Sequence, residues 1–283
     1  MKDYLNHHFD IDDPDLVSVI DELPLWSAPF GFTLLETVKL KKNMTVLDIG
    51  CGLGFPIIEL SQRLGNTSKL YGIDPWQKAL ERVRLKLKVY QIRNIEVVEG
   101  YAEKMPFENS FFDLIVSNNG INNVEDTQQT LKECCRVGKK NAQLVFTFNL
   151  EDTMIEFYRI LEETLQEGNL HAEIVKMKEQ IYSKRKPLVE IQSLVTASGF
   201  SIADIIQDVF RIRFVDGTSM FHHYLIKYWF LPGWKTILKK KDMAAVFDKV
   251  ELKLNEYAKI KGEISLSIPY VTIDCRKAGE EIS

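Results

Sequence analysis

The chain has 283 residues, of which 45% are hydrophobic and 27% charged, with a net charge of −4; it can bury a full core as one domain with insertions but is short for two independent domains. That charge excludes a global attraction to nucleic acid or anionic lipid, and no apolar run approaches the roughly 18 residues of a membrane span. The four cysteines, Cys51, Cys134, Cys135 and Cys275, contain no C-x-x-C pair, so neither a disulfide framework nor a zinc site is expected. The N-terminal residues Met1 to His8 lack the pattern of a signal peptide, and a cytoplasmic protein with reduced thiols is the expectation.

In chain order, the first strong signal is Thr45 to Ile49, β-branched and apolar enough for a buried strand. Gly50, Gly52 and Gly54 follow, permitting positive φ and leaving the backbone open to a ligand. Pro56 stands where a first helical turn begins, and Ile57, Leu60, Ser61 and Leu64 continue at helical spacing. Strands are predicted at Lys69 to Ile73, Ile95 to Glu99, Phe112 to Ser117 and Gln143 to Phe148, separated by helical patterns such as Trp76, Leu80, Val83, Leu87 and Tyr90. Leu188 to Ser198, ended by Gly199, reads as a crossover helix, with strands at Phe200 to Phe214 and Ile264 to Cys275 after it. This alternation predicts an α/β fold with a doubly wound, mostly parallel sheet.

The ligand chemistry follows from the glycine turn. It opens at a helix N-terminus, whose unpaired N–H groups favour a carboxylate or polyol. Twenty residues beyond Gly54, at the end of the second strand, Asp74 is placed to accept hydrogen bonds from ribose hydroxyls. The spacing is G-x-G-x-G rather than the dinucleotide G-x-G-x-x-G, which disfavours NAD.

Taken together, the motifs resemble those of the class I S-adenosylmethionine-dependent methyltransferases, in the expected order over the first half of the chain. Asp48 to Gly54 resembles the family's first motif, and Asp74, in Tyr71-Gly72-Ile73-Asp74-Pro75-Trp76, its ribose-binding acid. Glu99 to Phe107 is similar to the adenine-side loop, Phe112 to Asn119 to the fourth strand and its tip, and Glu133 to Val137 with Gln143 to Phe146 to the fourth helix and fifth strand. The resemblance implies a seven-stranded Rossmann-like sheet and S-adenosyl-L-methionine as cofactor, with S-adenosyl-L-homocysteine as product. The cofactor would be held by Asp48, Gly50, Cys51, Gly52, Gly54, Asp74, Pro75, Trp76, Ala102, Glu103, Ser117 and Asn118. Two departures stand out. Tyr101 occupies a position where the family often has an acid, which moves the adenine contact to Glu103 or the backbone near Ala102, and Gly138 to Ala142 replaces the usual Pro-Gly-Gly turn as a loop.

One domain over residues 1–283 is expected, with core sheet at about 40–149, 187–214 and 263–277. Helical lid insertions are expected at about 150–186, where Met154, Tyr158, Leu161 and Leu165 fall at helical spacing, and at 215–262. Residues 1–39, with Leu23-Pro24-Leu25-Trp26-Ser27-Ala28-Pro29-Phe30, are expected to cover the cofactor. The aromatic run Met220 to Leu231 places Phe221, Tyr224, Leu225, Tyr228 and Trp229 on one helical face, a pattern of core packing before that of an apolar pocket.

Substrate-binding candidates are Trp26, Phe30, Asn119 and Tyr224, and the catalytic candidates are His222 and His223, as a general base. Lys239 to Lys241 reads as a solvated face. Adjacent Cys134 and Cys135 point about 100° apart on a helix, so a metalloid cage is not expected, and no metal site is assigned. The strand-four tip lacks Asn-Pro-Pro-Tyr, which disfavours nucleic-acid bases as acceptors. The expected function is methyl transfer to a small, lipophilic or aromatic acceptor. The alternatives are a non-catalytic S-adenosylmethionine-binding protein and, behind it, an NAD-dependent oxidoreductase. Acceptor atom and oligomeric state are left open.

Overall fold

A computed structural model describes residues 2–6, 9–21 and 26–278. Leu23, Pro24 and Leu25 of the expected covering segment, and His7 and His8, lie outside the described residues. In chain order the elements are α1 (Pro14–Asp21), α2 (Ser27–Thr37), β1 (Thr45–Ile49), α3 (Ile57–Leu64), β2 (Lys69–Asp74), α4 (Gln77–Val89), β3 (Ile95–Glu99), β4 (Phe112–Asn118), α5 (Thr127–Val137) and β5 (Gly138–Asn149). Then come α6 (Ile155–Glu167), α7 (His171–Lys184), α8 (Leu188–Ala197), β6 (Phe200–Phe214), α9 (Gly217–His222), α10 (Leu231–Ile237), α11 (Lys240–Lys261) and β7 (Ile264–Lys277).

The chain forms two compact units. A sheet unit comprises Ile11–Asn149, Pro187–Asp208 and Tyr270–Ser283, and a helical unit comprises Met1–Asp10, Leu150–Lys186 and Val209–Pro269. The seven strands run in the order β3-β2-β1-β4-β5-β7-β6. β1 pairs in parallel with β2 and β4, β2 with β3, and β4 with β5, while β7 lies antiparallel to β5 from Gln143↔Arg276 to Asn149↔Tyr270. Flanked on both sides, β1 is apolar at Val46, Leu47 and Ile49, with Val46 and Leu47 fully buried, and its one charged residue, Asp48, is buried with them. The stripe read from α3 is the buried one, Ile57, Leu60, Ser61 and Leu64, packed with Leu34, Leu80, Val116 and Val145 in one core cluster.

The segment Gly138 to Ala142, expected as a loop, belongs to β5: helix α5 passes directly into the strand, and Gly138 pairs with Phe112 ahead of a register shift. The small side chain explains this, since a Cβ at Gly138 would stand 3.0 Å from the Cys134 carbonyl oxygen. The chain turns there without a separate connection.

In the helical unit, Phe157 stacks on Trp234 with ring centroids 3.7 Å apart, and Tyr4 stacks on Phe221 at 4.8 Å. Trp234 Nε1 donates to Tyr158 Oη at 3.1 Å, so the buried indole keeps a partner. Glu251, almost fully buried on α11, receives hydrogen bonds from Tyr4 Oη at 2.6 Å and Thr218 Oγ1 at 2.7 Å and pairs with Lys2 Nζ at 2.6 Å. The aromatic run does not form the single helical face expected of it. Helix α9 ends at His222, His223 is extended with ψ 134°, and a π-helical turn spans Ile226–Phe230. This break re-phases the chain so that Phe221, Leu225 and Ile226 are buried while Trp229 stays exposed.

Candidate functional site

The sheet unit brings the glycine turn and two carboxylates together at the ends of β1 and β2. Gly50 N–H and Cys51 N–H both donate to the Ile73 carbonyl, at 2.9 and 3.3 Å, and Gly54 N–H closes the turn on the Cys51 carbonyl at 2.8 Å. Gly50 has φ +70° and a Cβ there would stand 2.8 Å from Gly120 Cα, so this glycine serves backbone approach within the fold. Gly52 has φ +47°, yet a Cβ there would meet nothing within 4 Å. Its face of the turn is open, as a ligand cradle requires.

Asp74 is 8% exposed and accepts the Gly52 N–H and the Trp76 N–H, each at 2.8 Å. Burial pushes its carboxyl up, against the opposing pull of those two donors. Asp48 is fully buried in β1, and neither of its oxygens accepts a hydrogen bond from the described residues. Burial first, and then the Asp74 charge, push it well above the carboxylate range, with the Ile57 N–H dipole opposing them. An orphaned acceptor pair of this kind is costly unless a donor arrives. The cradle therefore presents two buried carboxylates beside the open face of Gly52. S-adenosylmethionine, which brings ribose hydroxyls and an ammonium, fits it. Cys51 contributes its backbone: its buried thiol packs on Gly72, and burial and then the Asp48 and Asp74 charges push it up, which leaves it unreactive.

The other sequence candidates divide. Pro75 and Trp76 lead into α4 beside Asp74. Glu103 Oε1 accepts the Glu125 and Asp126 N–H groups at 2.9 and 3.3 Å, so this carboxylate holds the turn before α5, and Ala102 is buried next to it. Ser117 Oγ donates to the Ile49 carbonyl at 2.8 Å and accepts the Ile121 N–H at 3.0 Å, bracing the turn after β4 against β1. Asn118 uses both ends of its amide, donating to the Ser27 carbonyl at 2.9 Å and accepting from Thr147 Oγ1 at 3.2 Å. Asn119, with φ +61°, donates its N–H to Thr147 Oγ1 at 2.8 Å, while its buried Oδ1 has no hydrogen-bond partner among the described residues. Trp26 and Phe30 meet edge to face at 5.3 Å, and Phe30 meets Tyr270 at 4.8 Å.

His222, His223 and Tyr224 belong to the helical unit. His222 Nδ1 lies 2.8 Å from the Thr218 carbonyl, so that nitrogen carries the proton and Nε2 the lone pair. His223 Nδ1 accepts the Leu225 N–H at 3.3 Å, its ring lies against Phe214 and Tyr224, and burial lowers its pKa. In the neutral tautomers these bonds select, Nε2 carries the lone pair in His222 and the proton in His223.

Sequence reasoning missed several residues. Lys86 Nζ donates to the Leu53 carbonyl at 2.6 Å and pairs with Asp21, which also binds Arg82 at 2.7 Å, tying α1 and α4 to the glycine turn. Arg136 bridges Glu133 to the Met105 and Phe107 carbonyls and so fixes the loop after β3. Neither has a sequence signal beyond a charge on a helix. Gly120 follows the tip of β4, and a Cβ there would stand 2.3 Å from the Ile49 carbonyl oxygen, so the backbones meet only because the residue is glycine. Cavities of about 270 and 250 Å³ lie elsewhere, one by Leu87 and Arg93, the other by Lys41, Asp113 and Lys139. Among the described residues no cluster of histidine, cysteine and carboxylate side chains suits a metal ion.

Comparison with known proteins identifies the family and the fold. Residues 40–207, more than half of the chain, match the family described as a methyltransferase domain. A demethylmenaquinone methyltransferase from Bacillus mycoides is 29% identical over 44% of this chain and 52% of its own length. The chain thus spans about half the length of the curated relatives it matches. Among solved structures, the YcgJ protein from Bacillus subtilis superposes with a TM-score of 0.60 at 17% identity, covering 89% of this chain and 99% of that one. A SAM-dependent methyltransferase from Aquifex aeolicus does so with a TM-score of 0.52 at 20% identity, over 70% and 93%. These two likenesses concern the fold.

Proposed function

Because the chain belongs to the class I S-adenosylmethionine-dependent methyltransferase family, we propose that it transfers a methyl group from S-adenosylmethionine to a small lipophilic or aromatic acceptor. The observation that carries this reading is the pairing of the orphaned Asp48 carboxylate with Asp74 around the open face of Gly52. In this reading Asp74 accepts from the ribose hydroxyls through the lone pairs its two backbone donors leave, and Asp48 supplies negative charge for the ammonium. Gly50 to Gly54 lets the backbone approach, Trp76 and Ala102 flank the nucleoside, and Ser117 and Asn118 fix the tip of β4.

When bound, S-adenosylmethionine supplies a methyl already activated by its sulfonium. The chain's task is then to hold an acceptor in line at about 3 to 3.5 Å and to exclude water. Trp26, Phe30 and Asn119 are the acceptor-side residues of the sheet unit under this reading, and a general base is needed only for an acceptor with a poorly acidic proton. The relatives named demethylmenaquinone methyltransferases favour a quinone-type ring as the first acceptor to test.

Thermal unfolding with S-adenosylmethionine, S-adenosylhomocysteine and NAD in parallel tests the donor. A shift with both adenosyl ligands, absent in Asp74→Ala, is expected, and a shift with NAD alone overturns the reading. Transfer of labelled methyl to a reduced short-chain naphthoquinone tests the acceptor class. Donor binding without turnover on any aromatic or lipophilic acceptor would favour a binding protein instead.

A further inference from the structure

Arg185 caps the C-terminus of α7 in the helical unit, in the run Lys184-Arg185-Lys186-Pro187, and is only 5% exposed. Among the described residues its guanidinium has no carboxylate in ion-pair range and no hydrogen-bond acceptor, and its Nη1 is fully buried without a partner. What it does meet is the face of Tyr158, with the guanidinium carbon 5.4 Å from the ring centroid. Tyr158 is itself 4% exposed, and its Oη accepts the Trp234 N–H at 3.1 Å. That bond orients the phenol and leaves its own O–H as a second donor with no acceptor among the described residues.

Arginine cannot shed its charge, so the usual escape of a buried ionisable group is closed to it. A buried cation without a counterion is strongly unfavourable. The carbonyl end of α7 offers a partial negative charge, which fades within a turn. The contrast lies in the same unit, where the buried Glu251 carboxylate has Lys2, Tyr4 and Thr218 as partners. Among the described residues, the side chains at Arg185 present a planar fork of donors beside a phenol, which is the arrangement that a bidentate oxyanion completes.

We propose that Arg185 and Tyr158 form a recognition site for the carboxylate or phosphate group of a small molecule. The guanidinium binds two oxygens of the anion, and the Tyr158 O–H donates to one of them. The site needs no part of the methyl-donor reading, and its test does not depend on turnover.

The full chain is unfolded thermally at fixed ionic strength in sodium chloride, with inorganic pyrophosphate or benzoate added, for wild type, Arg185→Met and Tyr158→Phe. One or both probes are expected to raise the wild-type midpoint saturably by several degrees, pyrophosphate alone pointing to a phosphate ligand and benzoate alone to a carboxylate. Arg185→Met is expected to lose the shift and, in chloride alone, to unfold at or above the wild-type temperature, because an uncompensated charge is replaced by an apolar chain of similar reach. Tyr158→Phe is expected to keep the fold and bind the probe three- to tenfold more weakly by calorimetry. The proposal is overturned if neither probe exceeds chloride, if Arg185→Met keeps the shift, or if Arg185→Met unfolds several degrees lower in chloride, which would make the guanidinium a structural group.

Discussion

The two units treat a buried carboxylate in opposite ways. In the helical unit Glu251 is completed from within the chain: burial disfavours its charge, but Lys2, Tyr4 and Thr218 outweigh that and lower its pKa. In the sheet unit, among the described residues, Asp48 accepts no hydrogen bond and Asp74 accepts two, from backbone amides, and both are pushed up. Under the proposed function, the difference separates a carboxylate that holds the fold from carboxylates that await a ligand. An internally satisfied group makes the folded state complete, whereas an unsatisfied one lowers the stability of the free protein and returns it when a donor-bearing molecule binds.

The largest effect expected from this contrast is on folding. Glu251→Ala leaves Lys2, Tyr4 and Thr218 without their shared acceptor, and a loss of about 3 to 5 kcal/mol in denaturant unfolding is expected. Because the folded pKa of Glu251 lies below its ordinary 4.5, its contribution is present above that pH and is lost as pH falls through and below it. Glu251→Gln should therefore flatten the acid limb of the stability profile. A variant as stable as the wild type would remove the contrast.

Asp74→Ala should act on ligand binding. At a hundred times its dissociation constant an adenosyl ligand adds about 2.7 kcal/mol of stability, and the variant is expected to forfeit this gain in thermal unfolding with S-adenosylhomocysteine. Gly52→Ala is predicted to cost about 1 to 2 kcal/mol of stability from its left-handed backbone, with at least a tenfold loss of affinity measured by calorimetry. Loss of stability alone, with affinity intact, would mean that the open face of the turn does not meet the ligand.

Asp48→Asn sharpens the comparison through pH. With its folded pKa above the ordinary 3.8, the native state binds the extra proton, so the free protein loses stability as pH rises from that value through the raised one. The carboxamide should abolish this slope while weakening the adenosyl ligand most at high pH, where the wild-type carboxylate is charged. A parallel pH profile in both proteins would contradict the proposed ammonium contact. The smallest change is expected from the double variant His222→Gln, His223→Gln: turnover within about threefold of wild type if transfer rests on positioning. A loss of about a hundredfold or more, reproduced by His222→Gln alone, would instead assign the base to the ring with the free Nε2.

The sequence by itself determined the sheet. Strands read at Thr45, Lys69, Ile95, Phe112 and Phe200 begin there in the structure, because short runs rich in β-branched and apolar residues mark strands and glycine turns leave a local mark. The cradle was legible for the same reason, since Gly52 and Asp74 lie at the ends of elements whose spacing is local. Tertiary structure alone decided the rest. The straight passage from α5 into β5 depends on the close approach of Gly138 to Cys134, and the break at His223 on which side chains of the aromatic run find a core. Among the described residues, Asp48 without a hydrogen-bond donor, Glu251 with three partners and Arg185 with an aromatic ring but no counterion depend on residues far apart in the chain. Whether a buried charge is compensated is a property of packing, and no local pattern of residues records it.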